Sequence, residues 1–282
     1  MTVTAAGVSA HWLSLREPAD RRGRSAELAG ILAAGLGVAA HAEQAAGSAD
    51  PIRIHDLGCG TGSLGRWLAP LLPGDQQWVL HDRESASLAA AVADPPRHSD
   101  GTAVQVTVLE RDLTRLTATD LAGADVIAAS ALLDLLDAAE LARLVDAIVT
   151  VGCPALLTMT VTGSVRLDPP DPQDAAVEAA FNAHQRRHVD GRRLLGPDAT
   201  GVAVAAFRRA GWRVRTRSSS WRLGVTDADL LTAWLIGRVA AASEQNPVLA
   251  RADSYLARRI TLAAAGGLRA VVGHVDLLAT PR

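Results

Sequence analysis

HDLGCGTGSLGRWL, residues 55–68, is the stretch that decides the fold. Asp56 is followed by glycine at positions 58, 60 and 62, and apolar residues at helical spacing come next. Because the preceding residues, PIRIHDLG, alternate as in a strand, the pattern predicts a strand, a glycine loop and a helix. Glycines permit unusual backbone angles and let a ligand approach the main chain. The helix N terminus behind them favours a carboxylate or phosphate.

The loop differs from the dinucleotide-binding pattern G-x-G-x-x-G. Counted from Gly58, the third glycine of that pattern would fall on Ser63. Asp56, two residues before the first glycine, would also lie close to a pyrophosphate and repel it. An acid in this place suits a ligand that carries an amine or a sulfonium cation. A nucleotide-dependent oxidoreductase is therefore a distant alternative.

Strands and helices alternate along the chain after this point, which implies right-handed crossovers and a parallel sheet. We expect an α/β, Rossmann-like fold: a seven-stranded, mostly parallel sheet, helices on both faces, and helical cap insertions after strands 5 and 6. The chain is predicted to be a single domain. Its segments are an N-terminal helical cover (1–50), a core (51–162), a cap insertion (163–195), more core (196–224), a helical insertion (225–268) and a final strand (269–282).

Composition narrows the functional class. The 282 residues carry a net charge of −2, so the chain lacks the positive charge that a nucleic-acid partner would need. All 28 basic residues are arginine, which excludes chemistry that needs a lysine amine. The two cysteines, the lack of a secretory signal and the lack of a long apolar run predict a cytoplasmic protein with no membrane partner. We expect either a monomer or a homodimer.

With acids at the ends of the next two strands, the loop resembles the first motif of the class I S-adenosylmethionine-dependent methyltransferases. The resemblance implies that S-adenosylmethionine is the cofactor, that Asp82 binds its ribose hydroxyls, and that Asp112 or the Leu113 amide reads its adenine. Both acids would alternatively cap the helices that follow, and Glu84 would replace Asp82 if the second strand ended later. The cofactor-binding residues expected in full are Asp56, Gly58, Cys59, Gly60, Gly62, Asp82, Arg83, Asp112, Leu113, Ser130 and Arg24.

Candidate catalytic groups lie in the first insertion. A helix is predicted to run to about His188, and Val177, Phe181, His184 and His188 share one face of it. A neutral imidazole there would serve as a general base for a hydroxyl acceptor, with His184 preferred and His188 second. A hydrogen-bonded core histidine is the alternative for each. No third ligand accompanies the H-x-x-x-H spacing, so we expect no metal.

Four further residues are candidates for binding the acceptor. Asn182 and Gln185 lie on the same predicted helix, while Trp12 and Arg16 precede the first strand. Core packing of the tryptophan and a solvated basic face are the competing interpretations.

We expect a methyltransferase that acts on a small-molecule acceptor, with O-methylation preferred. The alternatives are a nucleic-acid methyltransferase and a non-catalytic, S-adenosylmethionine-binding regulatory protein.

Overall fold

The computed structural model describes residues 9–45, 50–247, 249 and 252–282. Its central sheet has eight strands in the order β3-β2-β1-β4-β5-β10-β8, and β9 pairs with β10 beside this path. The strands are β1 (Ile52–Leu57), β2 (Gln76–Asp82), β3 (Gln105–Glu110), β4 (Val126–Ser130), β5 (Ala155–Asp168), β8 (Arg213–Ser218), β9 (Trp221–Leu223) and β10 (Arg269–Thr280). The first five are parallel, whereas β10 runs antiparallel to β5, β8 and β9.

Helices cover both faces of the sheet. They are α1 (Ala10–Gly23), α2 (Ala26–Ala45), α3 (Ser63–Leu68), α4 (Ser85–Ala93), α5 (Ala138–Val151), α6 (Asp174–Gln185), α7 (Ala199–Arg209), α8 (Ala228–Gln245) and α9 (Ala252–Ala264). Helix α6 follows the fifth strand, and α8 and α9 follow β9, so the two insertions lie where helices were predicted.

Successive residues of the central strands point to opposite faces, and this alternation divides the core. Ile127 and Leu157 pack with α5 and α7 on one face. Ala128 and Leu156 pack with α2, α3 and α4 on the other. Both faces are apolar because both are covered, as is typical of parallel sheets. The Rossmann-like class is thereby confirmed.

The expected count of seven strands is wrong by one, because β9 adds a short strand. Strand β5 also continues past residue 163, where the cap insertion was expected to begin, as far as Asp168. This extension pairs with the first half of β10, where Arg269 lies opposite Asp168 and Val272 lies opposite Val165. Because the paired residues of β10 are about a hundred residues away in the sequence, no local pattern predicts that β5 continues this far.

The helix expected to reach His188 ends earlier, at Gln185. His188 instead begins a two-stranded hairpin, β6 (His188–Val189) and β7 (Arg192–Arg193). Between these strands Asp190 and Gly191 both have positive φ, at 51° and 78°. Two central residues of this kind make a tight turn that matches the twist of a hairpin. His188 therefore does not share the helical face of His184.

Strand β10 is irregular where it passes the cap. Its register against β5 shifts between Val272 and His274, and again between Val275 and Leu277. A Cβ added to Gly273 would lie 2.2 Å from Thr162 Oγ1, so only glycine fits at the first irregularity. Such bulges re-aim the side chains beside them.

Packing around α3 gives a test of the fold. A Cβ at Gly65 would lie 2.6 Å from Pro96 Cγ and 3.3 Å from a ring carbon of the buried Trp78. We expect Gly65→Ala to destabilise the protein by ~1–3 kcal/mol, the usual cost of overpacking. Gly201→Ala is the matched control, because that helical glycine has no neighbour within 4 Å of the new carbon. The control should gain ~0.5–1 kcal/mol. Urea unfolding measures both, and a neutral Gly65→Ala would contradict the packing described.

Candidate active site

The glycine loop is folded back against the end of β2. Gly58, Gly60 and Gly62 have φ values of 70°, 53° and 86°, which side-chain-bearing residues rarely adopt. The amides of Gly58 and Cys59 donate to the His81 carbonyl at 2.8 and 3.0 Å. Helix α1 lies over the loop, since a Cβ on Gly60 would be 3.1 Å from Leu13 Cδ1. Helix α1 therefore covers the glycine loop, whose main chain is free of side chains at Gly58, Gly60 and Gly62.

Asp82, at the end of β2, shapes this loop. One carboxylate oxygen accepts from the Gly60 amide at 2.8 Å, and the other accepts from the Glu84 amide at 3.0 Å. A carboxylate has about four acceptor positions, so each oxygen keeps capacity for a further donor. Arg83 is exposed, Glu84 is half-buried, and the two form an ion pair at 3.3 Å.

Asp56 is fully buried at the end of β1. Neither of its carboxylate oxygens has a hydrogen-bond partner among the described residues. Burial raises the pKa of Asp56 to about 7; the Asp82 charge adds to this rise, and the Arg24 charge opposes it. A buried acid without donors is costly to ionise, and a cation at the loop would remove that cost.

Arg24 supplies the positive charge of the site. It is buried, donates to the Ser63 carbonyl and hydroxyl at 3.1 and 3.2 Å, and donates to the Ser130 hydroxyl at 3.1 Å. Its Nε is buried without a partner among the residues described. Burial lowers the pKa of Arg24, although an arginine remains charged. The guanidinium thus joins the start of α3 to the end of β4.

The remaining residues expected at the cofactor lie at the same edge of the sheet. Cys59 is buried, and burial raises the pKa of its thiol. Asp112 is exposed and caps a short turn by accepting from the Thr114 amide and hydroxyl at 3.0 and 2.8 Å, which lowers its pKa. Leu113 contacts the loop, since a Cβ on Gly58 would lie 3.5 Å from Leu113 Cδ1. In this structure Asp112 therefore acts as a cap, which was the alternative to adenine binding.

A cavity that opens to solvent lies beside the end of β4 and the middle of β5. Four aromatic rings wall it: Trp12, Phe181, Trp221 and Trp234. Trp12 and Trp221 contact each other with their centroids 6.3 Å apart. Residues of α1, α6, α8, β5, β9 and β10 contribute, so both insertions and the N-terminal cover enclose this space.

Several polar atoms of the lining are buried without hydrogen-bond partners in the described part of the chain. They are Trp12 Nε1, Asp134 Oδ1, Asn182 Oδ1 and Gln185 Oε1. One is a donor and, where the carboxyl of Asp134 is ionised, three are acceptors. Burial raises the pKa of Asp134 to about 6. Unsatisfied buried groups are uncommon in folded proteins, so their convergence on one cavity indicates a binding site.

Two left-handed residues also line the cavity. Ala131 and Met159, neither of them glycine, have φ values of 53° and 56°. The Met159 amide donates to the fully buried Asp276 carboxylate at 2.8 Å. The second oxygen of Asp276 accepts from the Ser25 amide at 2.7 Å. Strain of this kind tends to occur at functional sites.

His184 lines the cavity and is buried, but both of its ring nitrogens are engaged. Arg187 donates to Nδ1 at 3.2 Å, because an arginine has no acceptor. Nε2 must then carry the proton and donates to Glu244 at 3.2 Å. Burial and the Arg187 charge lower the pKa of His184, against an upward effect of Glu244. A base role for His184 would require one of these contacts to break.

His188, the second choice for a base, is exposed on β6 and is not among the residues that line the cavity. That expectation depended on a longer helix, which the Asp190–Gly191 turn prevents. Arg16 does line the cavity. It pairs with Asp20 at 2.8 Å and lies over the Trp221 ring at 5.2 Å, so the solvated-face alternative is wrong for it.

The cavity and the glycine loop are adjacent. Asp20, the partner of Arg16 in the cavity wall, lies 3.9 Å from Arg24, which contacts the start of α3. Ser130 bonds Arg24, and the next residue, Ala131, lines the cavity. A ligand along the loop would therefore meet a second molecule in the cavity at the end of β4.

Sequence reasoning missed His274, which is buried on β10 and lines the cavity. Its Nδ1 lies 3.0 Å from the Val272 carbonyl, and its ring lies 4.8 Å from that of Trp221. The available signal was the glycine before it inside a strand, which indicates a bulge.

Two other kinds of site are absent from the described residues. No group of three or more His, Cys, Asp and Glu side chains could hold a metal ion there. None of the helices described is long and apolar enough to cross a membrane.

Residues 54–154, from within β1 to the residue before β5, match the family described as a methyltransferase domain. The chain therefore contains a methyltransferase domain, as the resemblance of its glycine loop implied. No curated protein matches the sequence of this methyltransferase.

Solved structures resemble this methyltransferase at low identity. A methyltransferase from Geobacter sulfurreducens, in complex with S-adenosyl-L-homocysteine, is 16% identical over 97% of this chain and 99% of that one, with a TM-score of 0.45. A cyclopropane synthase from Mycobacterium tuberculosis is 14% identical over 95% and 94%, with a TM-score of 0.46. Magnesium protoporphyrin IX methyltransferase from Synechocystis, with bound SAH, is 10% identical over 96% and 95%, with a TM-score of 0.45.

The donor set of the methyltransferase fits its cofactor. S-adenosylmethionine carries an amine, a sulfonium and a carboxylate. The unpartnered Asp56 oxygens suit one of the cations, and the unpartnered Nε of Arg24 suits the carboxylate. Asp82 retains acceptor capacity for hydroxyl groups.

The Asp82 geometry gives the first test at this site. We expect Asp82→Ala to weaken S-adenosylhomocysteine binding by ~1.5–3 kcal/mol, the range for hydrogen bonds to a charged group. Isothermal titration measures this, with Glu84→Gln as the matched variant of the neighbouring acid. Should Glu84→Gln weaken binding while Asp82→Ala leaves it unchanged, Glu84 is the ribose ligand and the assignment is wrong.

The pKa of Asp56 gives a second test. A bound cation favours the ionised carboxylate, so cofactor affinity should rise about tenfold from about pH 6 to pH 8. In the free protein, pH affects stability in the opposite direction. Because the pKa of Asp56 is higher in the folded state than in the unfolded state, Asp56 contributes most to the free energy of unfolding below its unfolded-state pKa. This contribution is lost as the pH rises through about 7.

Asp56→Asn should therefore flatten the pH dependence of cofactor affinity and make the free protein relatively more stable at about pH 8. Titrations and thermal melts of both proteins at the two pH values measure these effects. Identical pH dependence in wild type and variant would remove Asp56 from the site.

Proposed function

We propose that this methyltransferase transfers a methyl group from S-adenosylmethionine to a hydroxyl of an apolar, ring-containing small molecule bound in the cavity beside β4 and β5. The observation that carries the proposal is the cavity itself: four aromatic rings with a few unpartnered polar atoms between them. Small-molecule sites typically combine apolar walls with a small number of orienting polar groups.

The lining favours an acceptor with hydroxyl groups. Asn182 Oδ1 and Gln185 Oε1 can each accept a hydrogen bond, and Trp12 Nε1 can donate one. An acceptor that carried only donors or only acceptors would leave part of this set unsatisfied. The rings of Trp12 and Trp221 suit a flat molecule, because aromatic surfaces stack or pack edge to face.

The cofactor is proposed to lie along the glycine loop. Asp56 would face its cationic end, Arg24 and Ser130 its carboxylate, Asp82 its ribose, and Asp112 or the Leu113 amide its adenine. Gly58, Cys59, Gly60, Gly62 and Arg83 would complete its surroundings. When bound, the cofactor supplies an activated methyl group.

The work left to the chain is alignment and exclusion of water. Holding two reactants in line can supply ~7–11 kcal/mol of the barrier in favourable cases. The cover of α1, α6 and α8 over the cavity suits this task. Arg16, fixed by Asp20 and stacked on Trp221, would set the position of the acceptor ring.

An assay with methyl-labelled S-adenosylmethionine and cell extract tests the proposal. Label should enter small, organic-extractable molecules, and the transfer should survive EDTA and dialysis. Label in RNA or protein would overturn the acceptor class, whereas cofactor binding without transfer to any fraction would favour a regulatory protein. A loss of transfer that one divalent ion restores would contradict the metal-free reaction.

Trp12→Phe is a sharper variant for the acceptor site. It keeps a ring in the cavity but removes the unpartnered Nε1 donor. We expect the KM for the labelled acceptor to rise by about 5–10-fold, as for loss of one hydrogen bond of ~1 kcal/mol, with unchanged S-adenosylhomocysteine affinity. An unchanged KM would show that the acceptor does not use this donor.

A further inference from the structure

We propose that His274 is the general base that takes the proton from the acceptor hydroxyl. This inference rests on the proposed function. It assigns the base to β10, in the cavity wall, and not to the helix of the cap insertion.

The hydrogen bonding of His274 fixes its tautomer. Nδ1 lies 3.0 Å from the Val272 carbonyl, which can only accept, so Nδ1 carries the proton. In the described part of the chain this is the only hydrogen bond of the ring. Nε2 is then the unprotonated nitrogen, it has no hydrogen-bond partner among the described residues, and we take it to be the atom that meets a molecule in the cavity.

The bulge in β10 explains how His274 reaches the cavity. The register shift between Val272 and His274 lies opposite the residues of β5 that extend past the end of β4. Gly273 packs against Thr162 so closely that no Cβ fits, and the His274 ring then packs against Trp221 at an interplanar angle of 48°. Its carbonyl accepts from the Ser219 amide at 2.9 Å, which holds the backbone in place.

His274 is electrically neutral in this setting. Burial lowers its pKa to about 4; Arg16 lowers it further, while Asp20 and the Val272 carbonyl oppose the shift. A neutral imidazole is the form that can accept a proton. The hydroxyl becomes a strong acid as its oxygen acquires the methyl group, so a weak base is sufficient at that stage.

The proposed step balances. The acceptor oxygen forms a bond to the methyl carbon, and the electrons of the broken carbon–sulfur bond remain on sulfur. The hydroxyl proton passes to Nε2, and the imidazolium later releases it to water. The products are the methyl ether, S-adenosylhomocysteine and one proton.

Two other groups compete for this role. His184 has both ring nitrogens engaged, by Arg187 and Glu244. Asp134 lines the cavity with Oδ1 unpartnered, but burial raises its pKa to about 6 and the Arg16 charge lowers it. Of the three, His274 alone presents a fixed, unpartnered lone pair on a neutral group.

Nitrogen NMR of histidine-labelled protein with bound S-adenosylhomocysteine tests the inference. 2-Naphthol is the probe, naphthalene is its match without a hydroxyl, and His274→Gln assigns the signal. We expect Nε2 of His274 to be unprotonated and to shift with 2-naphthol but not with naphthalene. Tryptophan fluorescence follows binding of both probes. A protonated Nε2, equal responses to both probes, or no binding of 2-naphthol would overturn the proposal.

Kinetics gives the second measurement. Where the wild type methylates 2-naphthol, His274→Gln should lower the rate by about 10²–10⁴-fold with S-adenosylhomocysteine affinity unchanged. His98→Gln, the same change outside the cavity, should match the wild type. A full rate in His274→Gln together with a large loss in Asp134→Asn would assign the base to Asp134. Absence of transfer by the wild type to any acceptor would instead overturn the proposed function, while the NMR result still decides the role of His274.

Discussion

The burial of one guanidinium constrains the whole site. Arg24 joins the α1–α2 junction to Ser63 at the start of α3 and to Ser130 at the end of β4. A buried charge must be compensated, and the charges of Asp20, Asp276 and Asp56 all act on it. The N-terminal helices are therefore fixed above the glycine loop by electrostatics as well as by apolar packing. If this cation were lost, Asp56 would have no opposing charge at all among the groups that shift its pKa.

Arg24 links the two parts of the site, the cavity and the glycine loop. Through Asp20 it reaches Arg16, whose guanidinium stacks on Trp221 in the cavity wall. Trp221 itself donates to Asp20 at 2.8 Å, so the ion pair and the aromatic wall are one network. Toward the loop, the same cation lies beside an acid that has no hydrogen-bond donor among the described residues. The chain thus combines a paired Arg16–Asp20–Trp221 network in the cavity wall with an unsatisfied acid at the loop, and such an acid is expected where a cationic ligand binds.

The sequence predicted the sheet well because its signals are local. Alternation and the D-x-G-x-G-x-G loop predict β1 and α3, and Asn182 and Gln185, candidates on the predicted cap helix, line the cavity. Other features depend on distant pairing. The end of β5 is set by β10, and the tautomer of His274 depends on a bulge. The helix was wrongly predicted to reach His188 because His184 and His188 are four residues apart, as on one helical face. The Asp190–Gly191 pair is typical of a hairpin turn and indicates that the helix ends before it.

A crystal structure with S-adenosylhomocysteine tests the central claim most directly, which is that the buried Asp56–Arg24 region receives the cofactor and the ring-walled cavity receives the acceptor. The account predicts the ligand along the glycine loop, with its carboxylate at Arg24 and its sulfur toward Ala131, and with the space between Trp12 and Trp221 left for a second molecule. Cofactor density within that ring-walled space, or a carboxylate remote from Arg24, would contradict it.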